Sequence, residues 1–211
     1  MSDLARPRPT PLKLGAYGLT ALLLAAYALV LWWAAHPTVP GNYRAYYIDQ
    51  TTTCMNQPVA GTYTLGTIVS FRPDGAEAAR AMKPCGWEGP AGDGTHAVGT
   101  SSRVRFAYGE PATGPLTLSL EMIAVRKDGR PMPQTVRVIV NGTLVDTLHV
   151  TADAPQGFAV KLPAELVRAA AGRIDLLLDF PTAVRMGPTD PPTRWRSIKL
   201  LSAGLTPAQR G

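Results

Sequence analysis

Trp87 and Trp195 are the only tryptophans outside an apolar N-terminal block, and both have charged neighbours. Glu88 and Asp93 follow the first, while Arg194 and Arg196 flank the second. An exposed indole stacks on the apolar face of a sugar ring, and carboxylates or guanidinium groups beside it bond the ring's hydroxyls. These six side chains therefore make a candidate glycan site. Large aromatics also have an ordinary use in small β-rich domains, where they plug the end of a sandwich or pack against its core. The sequence leaves both readings open.

Other chemistry finds less footing. His36, His96 and His149 are far apart, whereas a zinc site wants closely spaced His or Cys ligands. No metal or cofactor is expected, with calcium held by loop oxygens as the open alternative. The chain lacks a GxSxG elbow, an HExxH helix motif, a phosphate-binding loop and a GxGxxG turn. Glu110, Glu121 and Glu165 fall in separate elements, with no pairing of the kind two-carboxylate glycoside hydrolysis needs. The expectation is a protein that is not an enzyme.

These residues follow an apolar block that decides their compartment. Leu14 to Ala35 gives 22 consecutive residues without a charge. At about 1.5 Å per residue such a helix spans roughly 33 Å, enough for a hydrocarbon core of about 30 Å. Trp32 and Trp33 sit at its far end, where indoles favour the headgroup level. The competing reading is a cleaved signal peptide. Its apolar region would be shorter, and cutting after Ala35 would place bulky Trp33 three positions before the cut. A retained anchor fits better. Arg6, Arg8 and Lys13 precede the helix, and the first basic residue beyond it is Arg44. Positive flanks stay inside, so the N-terminus is expected in the cytoplasm and the remainder in the periplasm of a bacterial cell.

That placement gives the two cysteines, Cys54 and Cys85, an oxidising compartment in which thiols pair. A bridge would close a loop of about 30 residues, worth roughly 3–4 kcal/mol by loop entropy. Two separate thiols are the alternative. No CxxC redox motif is present.

The formal net charge is +6; setting aside Arg6, Arg8, Lys13 and Asp3 leaves +4 for the residues beyond the apolar block. No run of five like charges occurs, so a nucleic-acid partner is not expected.

Beyond a stalk over residues 36–60, apolar residues recur at period two. Val104 and Phe106 alternate with Arg103 and Arg105, and Leu116, Leu118, Leu120 and Met122 alternate with polar residues. Val136, Val138 and Val140 lead into Asn141-Gly142, a strong signal for a tight hairpin. Further strands are expected at 62–71, 144–150, 158–162, 173–180 and 198–205, and short helices at 76–82 and 163–171. Seven or eight short strands joined by Gly/Pro turns predict a mainly β fold, an antiparallel β-sandwich of jelly-roll type.

From Cys85 the stretch CGWEGPAGDGTHAVGTSSRVRF resembles a motif of the form GWSxPExxGxWSxGxxAxLxL. That motif belongs to β-sandwich domains attached to bacterial membrane glycosyltransferases and other envelope polysaccharide proteins. VRVIVNGTLVDTLHV is similar to the family's VxVNGxxV hairpin, and PTRWRSIKLLSAGL to its closing strand, D-x-R-x-L-G-x-x-L. Gly86, Trp87 and Arg194 match. His96 stands where the motif has tryptophan, Pro192 where it has aspartate, and Arg196-Ser197 where it has Leu-Gly. The resemblance covers residues 62–205 and implies an accessory role in an envelope setting that handles sugars.

The sequence thus predicts a cytoplasmic tail over 1–13, a single transmembrane helix over 14–35, the stalk, a β-sandwich over 61–205 and a tail over 206–211. Expected partners are inner-membrane lipid, one or more membrane proteins and a glycan. The alternative is a scaffolding subunit of a larger inner-membrane complex, for example an energy-transducing one, with no glycan ligand.

Overall fold

The computed structural model describes residues 11–36, 44, 48, 61–109 and 111–208. Cys54, Arg6, Arg8 and nearly all of the expected stalk lie outside the described residues. The chain divides into two compact units, one holding an N-terminal helix and the other a β-rich domain.

The helix, α1, spans Pro11–Ala35. Within it, Gly15–Ala35 is long and apolar enough to cross a membrane. Leucines, tyrosines and alanines are spread around its whole circumference, a pattern suited to lipid rather than to the one-sided stripe of a surface helix. Trp32 stacks on His36, ring centroids 4.1 Å apart, at the end where Pro37 follows.

In the β-rich unit, β1 (Ile68–Ser70) is followed by α2 (Ala76–Arg80), β2 (Trp87–Ala91), β3 (Gly94–Val98), β4 (Ser101–Ala107) and β5 (Leu116–Ala124). A small hairpin of β6 (Arg126–Lys127) and β7 (Arg130–Pro131) leads to β8 (Gln134–Val140), β9 (Thr143–Val150) and β10 (Gln156–Leu162). Then come α3 (Ala164–Ala169), β11 (Arg173–Asp179) and β12 (Arg196–Pro207). One sheet runs β10-β5-β12-β3-β2, with β1 also on β12; the other runs β4-β11-β8-β9. Taking the eight main strands from β3 onward, the first pairs with the last (β3 with β12), the second with the seventh (β4 with β11), the third with the sixth (β5 with β10) and the fourth with the fifth (β8 with β9). A long hairpin wrapped on itself in this way is a jelly roll. The expected class and topology are both present.

Period-two side chains of both sheets meet in one core. Phe106, Leu118, Met122, Val138, Leu176 and Leu200 are among its buried members. Burying each such side chain stabilises the fold by about 1.5–3 kcal/mol. β12 carries a register shift between Leu200 and Ser202 opposite β5, which inserts Leu201 as an extra residue. The bulge lets Leu200 before it and Ala203 and Leu205 after it all point inward.

Two tight turns set hairpin registers. Asn141 and Gly142 have φ of +47° and +86°, as a two-residue primed turn requires. Asp128 and Gly129 repeat this between β6 and β7, at φ +51° and +76°, in a hairpin whose two-residue strands are too short to show alternation.

The start of the domain differs from expectation. Of the strand expected over 62–71, only Ile68–Ser70 pairs. A turn interrupts it, with Thr67 N donating to Thr64 O at 3.1 Å and Gly66 at φ +91°. The Tyr63 hydroxyl pins this corner, accepting from Leu205 N at 2.7 Å and donating to Thr67 O. The expected helices are present at α2 and α3, the second ended by Ala171 and Gly172 at positive φ. Strands β2 and β3 were not expected: WEGPA and GTHAV carry too much Gly and Pro to show alternation. The closing strand runs to Pro207, two residues beyond the expected edge.

Candidate functional site

The middle of the larger sheet positions the site. On β12, Ile198 and Leu200 are in the core, so Lys199 between them faces outward. Its register partners are His96 on β3 and Ile123 on β5, which places imidazole, ammonium and isoleucyl side by side across three strands. This row floors a cleft of about 650 Å³.

One wall comes from the connection between β11 and β12. Reciprocal backbone bonds between Val184 and Arg196, at 2.7 and 2.9 Å, clip that connection to the strand. Gly187 N donates to Asp190 Oδ2 at 2.6 Å, closing a local turn. A single helical turn, Pro192–Arg194, then lifts the Arg194 side chain clear of the sheet, and Met186 and Asp190 join it in the lining. The opposite wall is Arg126 paired with Asp153 at 2.6 Å.

The six residues singled out by sequence divide between this cleft and its surroundings. Asp93, Arg194 and Arg196 line it directly. Asp93, in the β2–β3 turn, is ion-paired with Lys199. Glu88 stands at the rim, its Oε1 2.5 Å from Arg196 Nη2. Trp87 packs half-buried against the core, its ring 6.1 Å from that of Phe71, and its Nε1 donates to Arg103 O at 2.6 Å. Trp195 is also half-buried; its Nε1 donates to Asp190 O at 3.2 Å, and the Arg185 guanidinium lies 5.8 Å from its ring. Neither indole is part of the cleft lining.

Gly86 has a backbone reason. At φ +80°, an added Cβ would sit 2.5 Å from Ser101 O. Its carbonyl accepts from Ser102 Oγ at 2.6 Å and from Val98 N at 2.8 Å, tying β2 to β3 and β4 and so setting where Glu88 emerges.

Charge within the cleft is uneven in depth. The Asp93 carboxyl is held below the usual carboxylate range, chiefly by the hydrogen bond from the Lys199 ammonium. The His96 imidazole is pushed down from its ordinary value, first by burial and then by Lys199 and Arg196. It is therefore neutral at pH 7, and its covered Nδ1 has no hydrogen-bond partner among the described residues. Sequence reasoning missed His96, Lys199 and Ile123 as a group. Only the register of β3 on β12 brings them together, and β3 showed no alternation from which to infer it.

Cys85 is buried beside Arg103, and no described cysteine is free. Among the described residues, no group of three His, Cys, Asp or Glu side chains is placed to hold a metal ion.

No protein-family profile matches the chain, and no curated sequence does. Several solved structures are similar in outline. The CBM36-1 domain of a multidomain xylanase from the hindgut metagenome of Trinervitermes trinervoides shares 15% identity at a TM-score of 0.40, over 69% of this chain and 98% of that one. CsCBM6-3 from Clostridium stercorarium, solved in complex with cellobiose, shares 13% at 0.40, over 71% and 100%. A carbohydrate-binding module CBM36 in complex with calcium and xylotriose shares 15% at 0.39, over 66% and 99%. Likeness this distant decides nothing about this chain's ligand.

Proposed function

We propose that this protein is a non-catalytic accessory protein of the bacterial inner membrane whose jelly roll binds a glycan in the cleft over β3, β12 and β5. The observation that carries the reading is the convergence of Asp93, Arg194 and Arg196 on one concavity of about 650 Å³. That volume falls within the roughly 300–1,000 Å³ of ordinary ligand sites. Polar groups ring an apolar patch made by Ile123, Val125 and Met186, an arrangement that bonds hydroxyls at the edge of a ring and covers its CH face. Trp195 serves as a buttress behind Asp190, and Trp87 as a wedge beneath β2.

The full chain in detergent, passed over immobilised oligosaccharides, tests this. Retention by the native chain and its loss in Met186→Trp, which fills the cleft from an exposed position, supports the reading. No retention on any glycan, or retention unaffected by that substitution, ends it.

In this reading α1 anchors the domain, Trp32 and Trp33 lie at the headgroup level, and the jelly roll stands in the periplasm with Cys54 bridged to Cys85. Alkylation of intact cells provides the check. A maleimide that enters only the periplasm should label neither cysteine until a reductant is added, and labelling without reductant contradicts the bridge.

A second reading, a scaffolding subunit, has its own observation. On the outward face of the smaller sheet, half-buried Ile139 and Leu177 are register partners, and 56%-exposed Leu144 lies beside Ile139. Stoichiometric membrane subunits that copurify with the native chain and are lost in Leu144→Asp would favour that role.

A further inference from the structure

We infer that the cleft is built for an acidic glycan, and that Glu88 and Asp93 occupy the positions its carboxylates take. The inference rests on the glycan reading of the cleft and names the ligand class for it.

The argument begins with depth. Lys199 and Arg196 have side chains only 17% and 20% exposed, while their partners Asp93 and Glu88 are 60% and 50% exposed. In both pairs the cation lies in the protein surface and the carboxylate caps it from the solvent side. The cations are fixed: Lys199 by its place in the middle of the sheet, Arg196 by Nη1 donating to Arg194 O at 2.9 Å. The carboxylates stand on the solvent side of the sheet. Asp93 is in a turn beside Gly92 and Gly94, and Glu88 precedes Gly89 near the edge of the sheet.

Desolvating a cation is costly without an anion against it, so each half-buried cation needs a carboxylate. An incoming uronate supplies the same group. Exchange of one carboxylate for another keeps the cation paired and releases the protein's own acid to water, where an exposed partner loses little. Arg194 adds a third cation that is already available. Its guanidinium is exposed, lines the cleft and has no side-chain partner among the described residues. Its planar fork matches a carboxylate. Neutral His96 beside Lys199 adds no competing charge at pH 7.

A neutral glycan would gain nothing from displacing Glu88 or Asp93, and its hydroxyls would bond those carboxylates directly. The two cases therefore predict opposite results on removing the acids. The probes are oligogalacturonate and its methyl ester, the same backbone with and without charge, measured by calorimetry on the full chain in detergent. The expected order is tighter binding of the acid than of the ester. Asp93→Asn and Glu88→Gln should each tighten oligogalacturonate by about two- to fivefold, the release of one exposed ion pair. Arg194→Ala should weaken it by about tenfold, and added salt should weaken it as well. Equal or tighter binding of the ester, or weaker binding of the acid by Asp93→Asn and Glu88→Gln, overturns the inference while leaving the glycan reading intact. Binding of neither probe, with no glycan retained by the native chain, overturns both.

Discussion

The outward faces of the two sheets use the same side chains for different ends. On the smaller sheet, Arg105 pairs with Asp175 at 2.5 Å and Arg137 with Asp179 at 2.7 Å. In each case the partners are opposite residues of adjacent strands. Such pairs zip strands together. On the larger sheet, Lys199 and Arg196 on β12 reach past their register partners to Asp93 in a turn and Glu88 on an edge strand. Those pairs lie on the floor and rim of the cleft. Volume does not separate the faces, since a hollow of about 690 Å³ near Arg103, Ile139 and Asn141 matches the cleft in size. What separates them is where the acid stands: on the central strand β11 of the smaller sheet, or in a turn and on the edge strand β2 of the larger one.

The largest effects should ignore this difference, because both faces stand on one core. Leu200 lies beneath the cleft and Leu176 beneath the far face, and neither has any exposed surface. Leu200→Ala and Leu176→Ala should each cost about 2–5 kcal/mol in denaturant unfolding. If either substitution costs under about 1 kcal/mol, the two sheets do not share a close-packed interior. Binding should then divide the faces. Arg103→Ala, on the far face, should leave oligogalacturonate affinity unchanged, against the loss expected at Arg194 on the cleft wall.

The sequence showed the far face more clearly than the cleft. Val104, Phe106, Val136, Val138, Ile174, Leu176 and Leu178 alternate strictly, so β4, β8 and β11 follow from the period-two pattern, and Asp175 and Asp179 fall on their outer side. Asn141-Gly142 set the register of β8 on β9. The cleft depends on β2 and β3, where Pro90 and five glycines between positions 86 and 99 hide any period. The bulge at Leu201 and the long β11–β12 connection are also settled by tertiary packing, which no local pattern encodes. Of the charged neighbours of tryptophan, Asp93, Arg194 and Arg196 line the cleft and Glu88 pairs with Arg196 beside it. The indoles themselves point elsewhere: Trp87 has a backbone carbonyl and the core as partners, and Trp195 has Asp190 O and Arg185.

A smaller effect should appear as a pH dependence confined to the cleft face. His96 faces Lys199 and Arg196 on β12, with Glu88 and Asp93 beyond them, and burial with the two cations holds its folded pKa below the unfolded value. The unfolded chain then binds the proton more readily, so stability is complete above about pH 6.5 and is lost as pH falls through the folded pKa. Thermal unfolding followed from pH 7 to pH 5 should show a decline that His96→Gln flattens. An unchanged slope in that variant would mean the imidazole is not held neutral by this surface.

The smallest effect is expected where an ion pair belongs to the ladder. Arg137 is 49% exposed and its pair with Asp179 is screened by water, so Arg137→Ala should cost only about 0.2–1 kcal/mol. The informative quantity is the coupling with Asp179→Asn in a double-mutant cycle, measured beside the cycle of Lys199→Met with Asp93→Asn. For Arg137–Asp179 the strands stay paired through their backbones whichever side chain is removed, and the coupling should fall with salt and ignore ligand. For Lys199–Asp93 the coupling measured without ligand should disappear at saturating oligogalacturonate, because the glycan has already taken the carboxylate's place. A ligand-independent coupling at both pairs would make the two faces equivalent, and the cleft's carboxylates would then be fastenings of the same kind as those across the sheet.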